Sequence, residues 1–233
     1  MMHACKCQHG PQPSSATLAH SRAAYQYILW GLVSAQFQPA LEAIIASGAS
    51  VSDILDAVDT SSPFTWLSII LLLDQVPRNC YRGDQSKVVY SQFDPLAEAI
   101  SVRAIELGIP TQSSQIRYRI LYRHWFSLPL MHSETLAVHE KAVCVFEDLI
   151  QDMDNFLQGN VESLSADEKK CYSILSGQKD AMMGFLNTIF DFEKSHKVII
   201  ERFGRYPHRN QALGRASTAE EVEYLENGGE TFG

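Results

Sequence analysis

The sequence predicts an all-α fold, and three observations support that prediction. Apolar residues recur at helical spacing through most of the chain of 233 residues. Ser62-Pro63 and Asp94-Pro95 have the cap-plus-proline pattern with which helices begin. No alternating strand pattern extends beyond short ambiguous runs. Because helix pairs of similar length are joined by short turns, we expect stacked antiparallel hairpins, as in a helical-repeat array.

The N-terminal part of the chain divides into a lead-in and a series of short helices. We predict that residues 1–15 form a flexible segment and that 16–233 form a single all-helical domain. An amphipathic stripe predicts a helix from Ala16 to about Gln36. Pro39 then begins a second helix that ends near Gly48, because proline is favoured at the first helical position. A further apolar stripe from Val51 to Val58 predicts another helical segment.

A central buried helix is predicted to follow Ser62. Its residues are apolar nearly all round, which is typical of a helix that is covered on every side. Pro77 is expected to stop it, since proline lacks the N–H that continues a helix. The polar residues in its last turn and in the turn that follows are Asp74, Gln75, Arg78 and Asn79. Polar groups at the end of a buried helix must be paired or must face a cavity.

The second half of the chain predicts longer helices. They run from Asp94 to Leu107, from Ser113 or Ser114 to Pro129, from Leu130 to about Leu157 and from Gln178 to Phe203. The segment from Gly159 to Lys169 is polar and acidic and is predicted to be a loop. Ser217 and Glu220 have the spacing of a capping box, which predicts a short terminal helix.

Composition excludes some classes of partner. Apolar residues make up 45% of the chain and charged residues 20%, as in soluble globular proteins. A formal net charge of -8 disfavours nucleic acid, although basic residues cluster within 202–215. The longest apolar run, Leu67 to Leu73, is too short to span a membrane. We therefore expect neither nucleic acid nor a membrane as a partner, and the sequence leaves the oligomeric state open.

Cysteine usage predicts a reducing, cytoplasmic location. The chain has five cysteines, an odd number without a framework spacing, and no signal peptide. Cys5 and Cys7, with His3 and His9, have some features of a metal site. No second ligand pair follows them in this Gly/Pro/Ser-rich terminus, so a frayed tail is the alternative interpretation.

The segment from Phe203 to Arg215 predicts a shaped loop rich in hydrogen-bond donors. Gly204, Pro207 and Gly214 interrupt it, so it cannot be one regular helix. Its arginines, histidine and asparagine require anionic or carbonyl-bearing partners. Those partners are either a ligand or the protein's own carboxylates and helix ends, and the sequence leaves both open.

Four ordered blocks of sequence resemble one known family. The blocks are Leu71-Leu72-Leu73-Asp74-Gln75-x-Pro77-Arg78-Asn79, Pro129-Leu130-Met131-His132-Ser133-Glu134, His196 ahead of Phe203-Gly204-Arg205-Tyr206-Pro207-His208-Arg209-Asn210, and Leu213-Gly214-Arg215-x-Ser217-Thr218-x-Glu220-Glu221. Together they are similar to the DUF924 family, a group of bacterial and fungal proteins of unknown function. The resemblance covers roughly residues 63 to 226.

The resemblance implies a tetratricopeptide-like helical fold and a shared polar site, without an established reaction. Two positions depart from the family pattern. Tyr27-Ile28-Leu29-Trp30 corresponds only weakly to the aromatic Trp-Phe segment with which the family opens. His139 stands where the family commonly has glutamine. These departures predict a pocket modified from that of other members.

His132, Glu134 and His208 are the candidate catalytic residues. Histidine titrates near neutral pH, so a histidine oriented by a carboxylate can serve as a general acid or base. His132 and His139 are seven residues apart, which predicts that they share one helical face. The alternative is that His132 and Glu134 cap helix ends and pair with arginines of the basic loop. For His139 we favour a structural role.

The candidate ligand-binding residues are Asp74, Gln75, Arg78, Asn79, His196, Arg205, Arg209, Asn210 and Arg215. Arginines bind carboxylate or phosphate groups through paired hydrogen bonds, so the predicted ligand is a small anionic or carbonyl-bearing metabolite. They could equally join helices through Asp74, Asp94, Glu134 and Asp191.

Three functions follow from these residues. The first is a cofactor-independent enzyme that performs acid/base chemistry. The second is a metal-assisted hydrolase with His132, Glu134, His196 and Asp74 around a divalent ion, although no zinc-binding spacing is present. The third is a helical-repeat interaction module without catalysis.

Overall fold

The computed structural model describes residues 34–232. No residue within that range lies in a β-strand, so the predicted all-α fold is confirmed there. The tetratricopeptide-like arrangement of the hairpins stays a prediction. Cys5, Cys7, the lead-in 1–15 and most of the predicted first helix lie outside the described residues. None of the helices within 34–232 is both long and apolar enough to cross a membrane.

The first half of the described chain is a succession of short helices around one long helix. These are α1 (34–47), α2 (Val51–Asp56), α3 (Pro63–Cys80), α4 (Ser86–Val88), α5 (Asp94–Glu106), α6 (Ile109–Gln112) and α7 (Ser114–Arg117). Ser62 caps α3 by accepting from the backbone N–H of Phe64, as the cap-plus-proline pattern predicts.

The second half contains two long helices, α9 and α11. Its helices are α8 (Ile120–Met131), α9 (Leu136–Gln158), α10 (Ala166–Ser176), α11 (Lys179–Phe203), α12 (Asn210–Leu213) and α13 (Ala219–Glu226). Three 3₁₀ turns, Gly83–Gln85, Val161–Ser163 and Pro207–Arg209, connect elements. Helix α10 overlaps the predicted loop, so the prediction of a loop to Lys169 is wrong there. The capping box of α13 joins Thr218 to Glu221, one residue later than predicted.

A π-helical turn, Val89–Phe93, joins α4 to α5. The predicted helix start at Asp94 is therefore not a free end, because the helix already runs through residues 86–93. The π turn adds one residue to the helical repeat and turns Tyr90 towards Arg209, whose guanidinium lies 4.5 Å from the centre of the Tyr90 ring. Such turns occur frequently at functional sites.

Prolines do not mark helix boundaries where the sequence predicts. Helix α1 passes through Pro39, α3 continues past Pro77 to Cys80, and α8 includes Pro129. A proline in the last turn of a helix removes one hydrogen bond, and Pro77 and Pro129 are both buried, so packing holds the turn in place. As a consequence Arg78 lies one helical turn after Asp74, on the same face of α3.

Two large apolar cores stabilise the described part of the fold, and a smaller third one lies at the end of α11. The first contains Leu73 of α3, Phe93 of the π turn and Ile100 of α5, all fully buried. The second lies between α9 and α11 and includes Phe146 and Leu186. Each fully buried side chain of this size contributes about 1.5–3 kcal/mol relative to an exposed one. The polar residues of interest lie where the end of α3, the end of α8 and the turn Pro207–Arg209 meet.

Candidate functional site

A buried carboxylate orients His132. The Nδ1 atom of His132 lies 2.6 Å from Oδ1 of Asp74, and Gln75 Nε2 donates to Oδ2 of the same carboxylate at 2.5 Å. Asp74 is 1% exposed. Burial alone would raise its pKa, but His132 and Arg78 hold the pKa at about 2. The ionised carboxylate can only accept, so Nδ1 carries the proton that joins the two side chains.

The other ring nitrogen of His132 is left available. Helix α8 ends at Met131, and His132 occupies its C-terminal cap, so the imidazole stands at a helix end. Nε2 makes no hydrogen bond to any residue within 34–232, and the side chain is 15% exposed. A neutral imidazole with a proton on Nδ1 has a lone pair on Nε2, which can take a proton from a bound molecule.

An alternating chain of charges extends from this pair. Arg78 Nη2 donates to Asp94 Oδ1 at 2.6 Å and lies 3.4 Å from Asp74 Oδ1. Arg209 Nη1 lies 3.4 Å from Asp94 Oδ2 and donates to the carbonyl oxygen of His132 at 3.0 Å. We call Asp74, Arg78, Asp94, His132 and Arg209 the dyad cluster. The predicted pairing of arginines with Asp94 is therefore present. Asp191 is exposed and pairs with Lys194 instead.

Arg209 is held between two aromatic rings. Its guanidinium carbon lies 4.4 Å from the centre of the Tyr206 ring and 4.5 Å from that of Tyr90. Such contacts stabilise a desolvated cation by about 2 kcal/mol. Arg209 is 3% exposed, and burial lowers its pKa, while Asp94 raises it. The two rings therefore replace part of the hydration that the Arg209 guanidinium loses on burial.

A second cluster surrounds Glu134, and every partner in it belongs to the protein. Arg215 donates two hydrogen bonds to Glu134, at 2.6 and 2.9 Å, and the Tyr206 backbone N–H donates a third at 2.9 Å. Burial would raise the pKa of Glu134, but Arg215 lowers it below its ordinary value. Each oxygen of Glu134 therefore already accepts at least one hydrogen bond from the protein.

The same cluster continues through Asn210 to Glu221. Arg215 Nε donates to Asn210 Oδ1 at 2.9 Å, and Asn210 Nδ2 donates to Glu221 Oε2 at 3.2 Å. Arg205 donates to both oxygens of Glu221, at 2.7 and 2.9 Å, and lowers its pKa to about 2. We call Glu134, Arg205, Asn210, Arg215 and Glu221 the brace cluster. It joins the start of α9 to the basic loop and to α13.

His139 forms a separate, fully buried pair with Glu193. Its Nε2 is 2.9 Å from the Ser133 carbonyl oxygen and its Nδ1 is 2.8 Å from Glu193 Oε1, with both side chains completely buried. A carbonyl only accepts, so Nε2 carries a proton, and a single further proton lies between Nδ1 and Glu193. Whichever atom holds that proton, the pair is electrically neutral. The predicted shared helical face of His132 and His139 is wrong, because α9 begins only at Leu136.

His196 and His208 lie under the C-terminal segment. The Phe232 ring stacks on His196 at 3.5 Å between ring centres and meets His208 edge-on at 6.4 Å. His196 Nδ1 also lies 2.6 Å from the Phe192 carbonyl oxygen. Burial lowers the pKa of each histidine to about 4. Both are therefore neutral at pH 7.

The structure thus separates the predicted site residues into three groups. The dyad cluster and its neighbours contain Asp74, Gln75, Arg78, Asn79, His132 and Arg209. The brace cluster contains Glu134, Arg205, Asn210 and Arg215. Phe232 covers His196 and His208. Within 34–232 no group of three or more His, Cys, Asp or Glu side chains is arranged to hold a metal ion.

Sequence reasoning missed Tyr90, Glu193 and Glu221 as members of these networks. Glu221 had a signal, because Thr218-x-x-Glu221 has the same capping-box spacing as the pair that we predicted. Glu193 lies seven residues after Leu186, on the buried stripe of α11, where a carboxylate requires a partner. Tyr90 had no sequence signal, because its orientation depends on the π turn.

The fold and the site together define an all-helical protein with a buried carboxylate–histidine pair at the junction of three segments. Comparison with known proteins adds the family. The family described as bacterial protein of unknown function (DUF924) matches residues 31–229. The chain therefore belongs to the DUF924 family.

A solved structure supports the fold. The chain is 28% identical to a protein of unknown function from Agrobacterium tumefaciens, with a TM-score of 0.52. The similarity covers 88% of this chain and 86% of that one. Comparison with curated proteins gives no match.

Proposed function

We propose that this protein is a cofactor-independent enzyme that performs acid/base chemistry on a small anionic or carbonyl-bearing metabolite. One observation carries the proposal, the 2.6 Å hydrogen bond between Asp74 and His132 Nδ1. A buried carboxylate that fixes one ring nitrogen leaves the other as a base of defined orientation. When Nε2 accepts a proton from the substrate, the adjacent Asp74 charge stabilises the imidazolium that forms.

Arg78 supplies the positive charge next to this base. Its Nη2 atom is already bonded to Asp94 at 2.6 Å, which fixes the guanidinium beside Asp74. A substrate carboxylate, phosphate or developing enolate near Arg78 would be stabilised by its charge. Gln75 and Asn79 lie one helical turn apart next to these residues. Asn79 Nδ2 donates to the Gln75 carbonyl oxygen at 2.9 Å, which fixes the Asn79 side chain along α3.

The remaining predicted residues support this site from a distance. Glu134, Arg205, Asn210 and Arg215 hold the basic loop against the start of α9. Arg209 donates to the His132 carbonyl oxygen and so positions the backbone of the base. His208 stays a candidate for a second proton-transfer residue. That role requires Phe232 to move away from the His208 ring. We place the activity in the cytoplasm, in keeping with the free thiols of Cys80, Cys144 and Cys171.

Proton abstraction can be tested before the substrate is named. The full chain is incubated in D₂O with pools of small carboxylates, phosphate esters and keto acids, and deuterium incorporation is measured by mass spectrometry. A general base that removes a carbon-bound proton exchanges it with solvent. We expect His132→Asn, which can still donate to Asp74, to slow the exchange by about 10²–10⁴-fold.

A matched control makes that result specific. His124 lies outside the three groups, and its Nδ1 has no hydrogen-bond partner within 34–232. We expect His124→Gln to exchange deuterium at the wild-type rate per folded molecule. Equal exchange by wild-type and His132→Asn protein would contradict the proposal.

One observation favours the non-catalytic interaction module as a second candidate. An apolar groove of about 700 Å³ lies between α8, α10 and α11. Leu121 and Ile174 are 60% and 64% exposed there. Large apolar side chains exposed together in one groove are typical of an interaction surface. If the protein is only such a module, no metabolite pool will exchange deuterium. Ile174→Asp will then change the association of the protein with other chains, whereas His132→Asn will leave it unchanged.

A further inference from the structure

The backbone that carries His132 is hydrogen-bonded at each of its neighbouring carbonyl oxygens. Helix α8 ends at Met131, and the last carbonyl groups of a helix have no partner within it. The N–H groups of His132 and Ser133 bond back to the carbonyl oxygens of Pro129 and Leu130, at 3.3 and 3.2 Å. The three carbonyl oxygens that follow these accept hydrogen bonds from side chains instead.

The basic loop supplies two of the side-chain donors. The Tyr206 hydroxyl donates to the Met131 carbonyl oxygen at 2.5 Å, and Arg209 Nη1 donates to the His132 carbonyl oxygen at 3.0 Å. Tyr206 is fully buried, and burial raises the pKa of its hydroxyl, which is therefore protonated at neutral pH. The Tyr206 ring also packs against the Arg209 guanidinium, so each donor helps to hold the other in place.

His139 supplies the third donor from the first turn of α9. Its Nε2 lies 2.9 Å from the Ser133 carbonyl oxygen, and Glu193, 2.8 Å from Nδ1, keeps the ring in that orientation. The same Nε2 lies 3.3 Å from the Tyr206 hydroxyl, so the donors from the basic loop and from α9 are in contact. The buried Glu193–His139 pair is thereby linked to the backbone next to His132.

The sequence leaves this helix end to side chains. Helices commonly end at a glycine in the left-handed conformation, which closes the last turn with backbone hydrogen bonds. Residues 132–135 contain no glycine, and His132 keeps a right-handed helical backbone, with φ of -85° and ψ of -6°. The direction of the backbone after Met131 therefore depends on the side chains that bond its carbonyl oxygens.

We propose that Tyr206 and His139 are positioning residues for His132. With Arg209 they hold the backbone of the base, and Asp74 then holds the ring through its 2.6 Å contact with Nδ1. Each acts through a carbonyl oxygen of a residue next to His132. The inference rests on the proposed function, because it states how the base of that site is aimed. Accurate aim matters, since a misplacement of about 1 Å can slow a reaction about 10²-fold.

Proton NMR on the full chain tests the inference without a substrate. The proton between Asp74 and His132 Nδ1 should give a downfield resonance, which is assigned by its loss in His132→Asn. We expect Tyr206→Phe, which keeps the ring against Arg209, to move this resonance. Exchange of the same proton with solvent should become about 3–10-fold faster, as for one lost hydrogen bond. The rate of metabolite deuterium exchange per folded molecule should fall about tenfold.

Tyr172→Phe is the matched control. The Tyr172 hydroxyl donates to the Leu157 carbonyl oxygen at 3.4 Å, at the opposite end of α9. The variant therefore loses the same kind of hydrogen bond away from His132. We expect the His132 resonance and the exchange rate to stay as in wild type.

Two variants of His139 keep the test decisive if Tyr206→Phe folds poorly. His139→Gln retains an amide that can donate to the Ser133 carbonyl oxygen, whereas His139→Leu has no donor. We expect the leucine variant to move the His132 resonance and to slow metabolite exchange about tenfold, and the glutamine variant to restore both. If Tyr206→Phe and His139→Leu lower the melting temperature but leave the resonance and the rate unchanged, the two residues are structural only and the inference is overturned.

The same data separate this inference from the proposed function. If the resonance moves in Tyr206→Phe but metabolite exchange survives His132→Asn, the positioning stands and the proposed function fails. If exchange depends on His132 but neither the resonance nor the rate responds to Tyr206→Phe and His139→Leu, the positioning fails and the function stands.

Discussion

The dyad cluster and the brace cluster are neighbours in the chain, yet they differ in what each leaves unbonded. The brace cluster uses both oxygens of Glu134 and of Glu221 on the protein's own arginines and backbone. No buried nitrogen or oxygen of its five side chains lacks a partner. The dyad cluster instead leaves Nε of Arg78 and Nε of Arg209 without acceptors among residues 34–232. Its His132 has a free ring nitrogen as well.

This difference distinguishes structure from function among residues of the same types. A fully satisfied network of charges stabilises one arrangement and has nothing to offer a ligand. A network with buried donors that lack acceptors keeps a cost of about 1–3 kcal/mol for each of them. The glutamate and arginines of the brace cluster therefore hold the loop, whereas the chemistry that we propose is assigned to His132 with Arg78 beside it.

Breaking the brace cluster should destabilise the protein strongly. We expect Glu221→Ala to lower the free energy of unfolding by about 3 kcal/mol, because it leaves Arg205 and the Thr218 cap without their partner. Urea denaturation measures this. The adjacent Glu220→Ala is the matched control: Glu220 is exposed and forms only a surface pair with Arg202, so its loss should change stability little. Equal effects of the two substitutions would contradict the bracing role.

The buried Glu193–His139 pair sharpens the comparison from a third place. We expect Glu193→Leu to lower the free energy of unfolding by about 3 kcal/mol, since His139 Nδ1 loses the one partner it has within 34–232. Glu193→Gln should cost less than about 1 kcal/mol, because its amide can donate to the unprotonated Nδ1 of a neutral histidine. Should glutamine prove as damaging as leucine, the pair would need the ionic form rather than one shared proton.

Acid should destabilise the protein gradually between pH 6.5 and 4. His124, His196 and His208 each have a folded-state pKa lowered by burial to about 4. As the pH is lowered, these histidines take up protons in the unfolded chain near the ordinary histidine pKa of about 6.5, before they do so in the folded protein. The free energy of unfolding therefore decreases as the pH decreases. Each histidine contributes on the order of 1–3 kcal/mol to that fall.

A single substitution tests the assignment. His196→Phe retains an aromatic ring against Phe232 and removes one titrating group, so the dependence of the unfolding free energy on pH should flatten in this window. An unchanged slope would mean that His196 is not buried in its neutral form. Glu221 of the brace cluster should contribute mainly below this window, because it takes up its proton near pH 4.5 in the unfolded chain and near pH 2 in the folded protein.

Much of the fold was predictable because caps and apolar stripes are local signals. The Ser62 cap of α3 and the extent of α11 follow directly from the sequence. Helix α10 was predictable in principle, since Ser165 and Glu168 form a capping box at its start. The passage of α3 through Pro77 was not, because burial on both sides of the proline outweighs the lost hydrogen bond, and only tertiary packing reveals that burial.

The site was predictable as a meeting of segments but not as a set of pairs. Several of the candidate residues named from the sequence lie together, since Asp74 contacts His132 and Arg209 donates to the His132 carbonyl oxygen. It did not indicate that Glu134 is bonded by Arg215 while Asp74 is bonded by His132, because partner choice depends on how helices are rotated against each other. The same holds for Arg209, which lies between Tyr90 and Tyr206 only because a π turn rotates Tyr90.

The most direct measurement compares His132→Asn with Glu221→Ala in two assays, the rate of deuterium exchange per folded molecule and the free energy of unfolding. We predict that His132→Asn loses exchange by at least about 10²-fold and changes stability little, while Glu221→Ala loses stability and keeps its exchange rate. If both variants lose exchange and stability together, the two clusters form one network, and their division into a reactive and a bracing part is wrong.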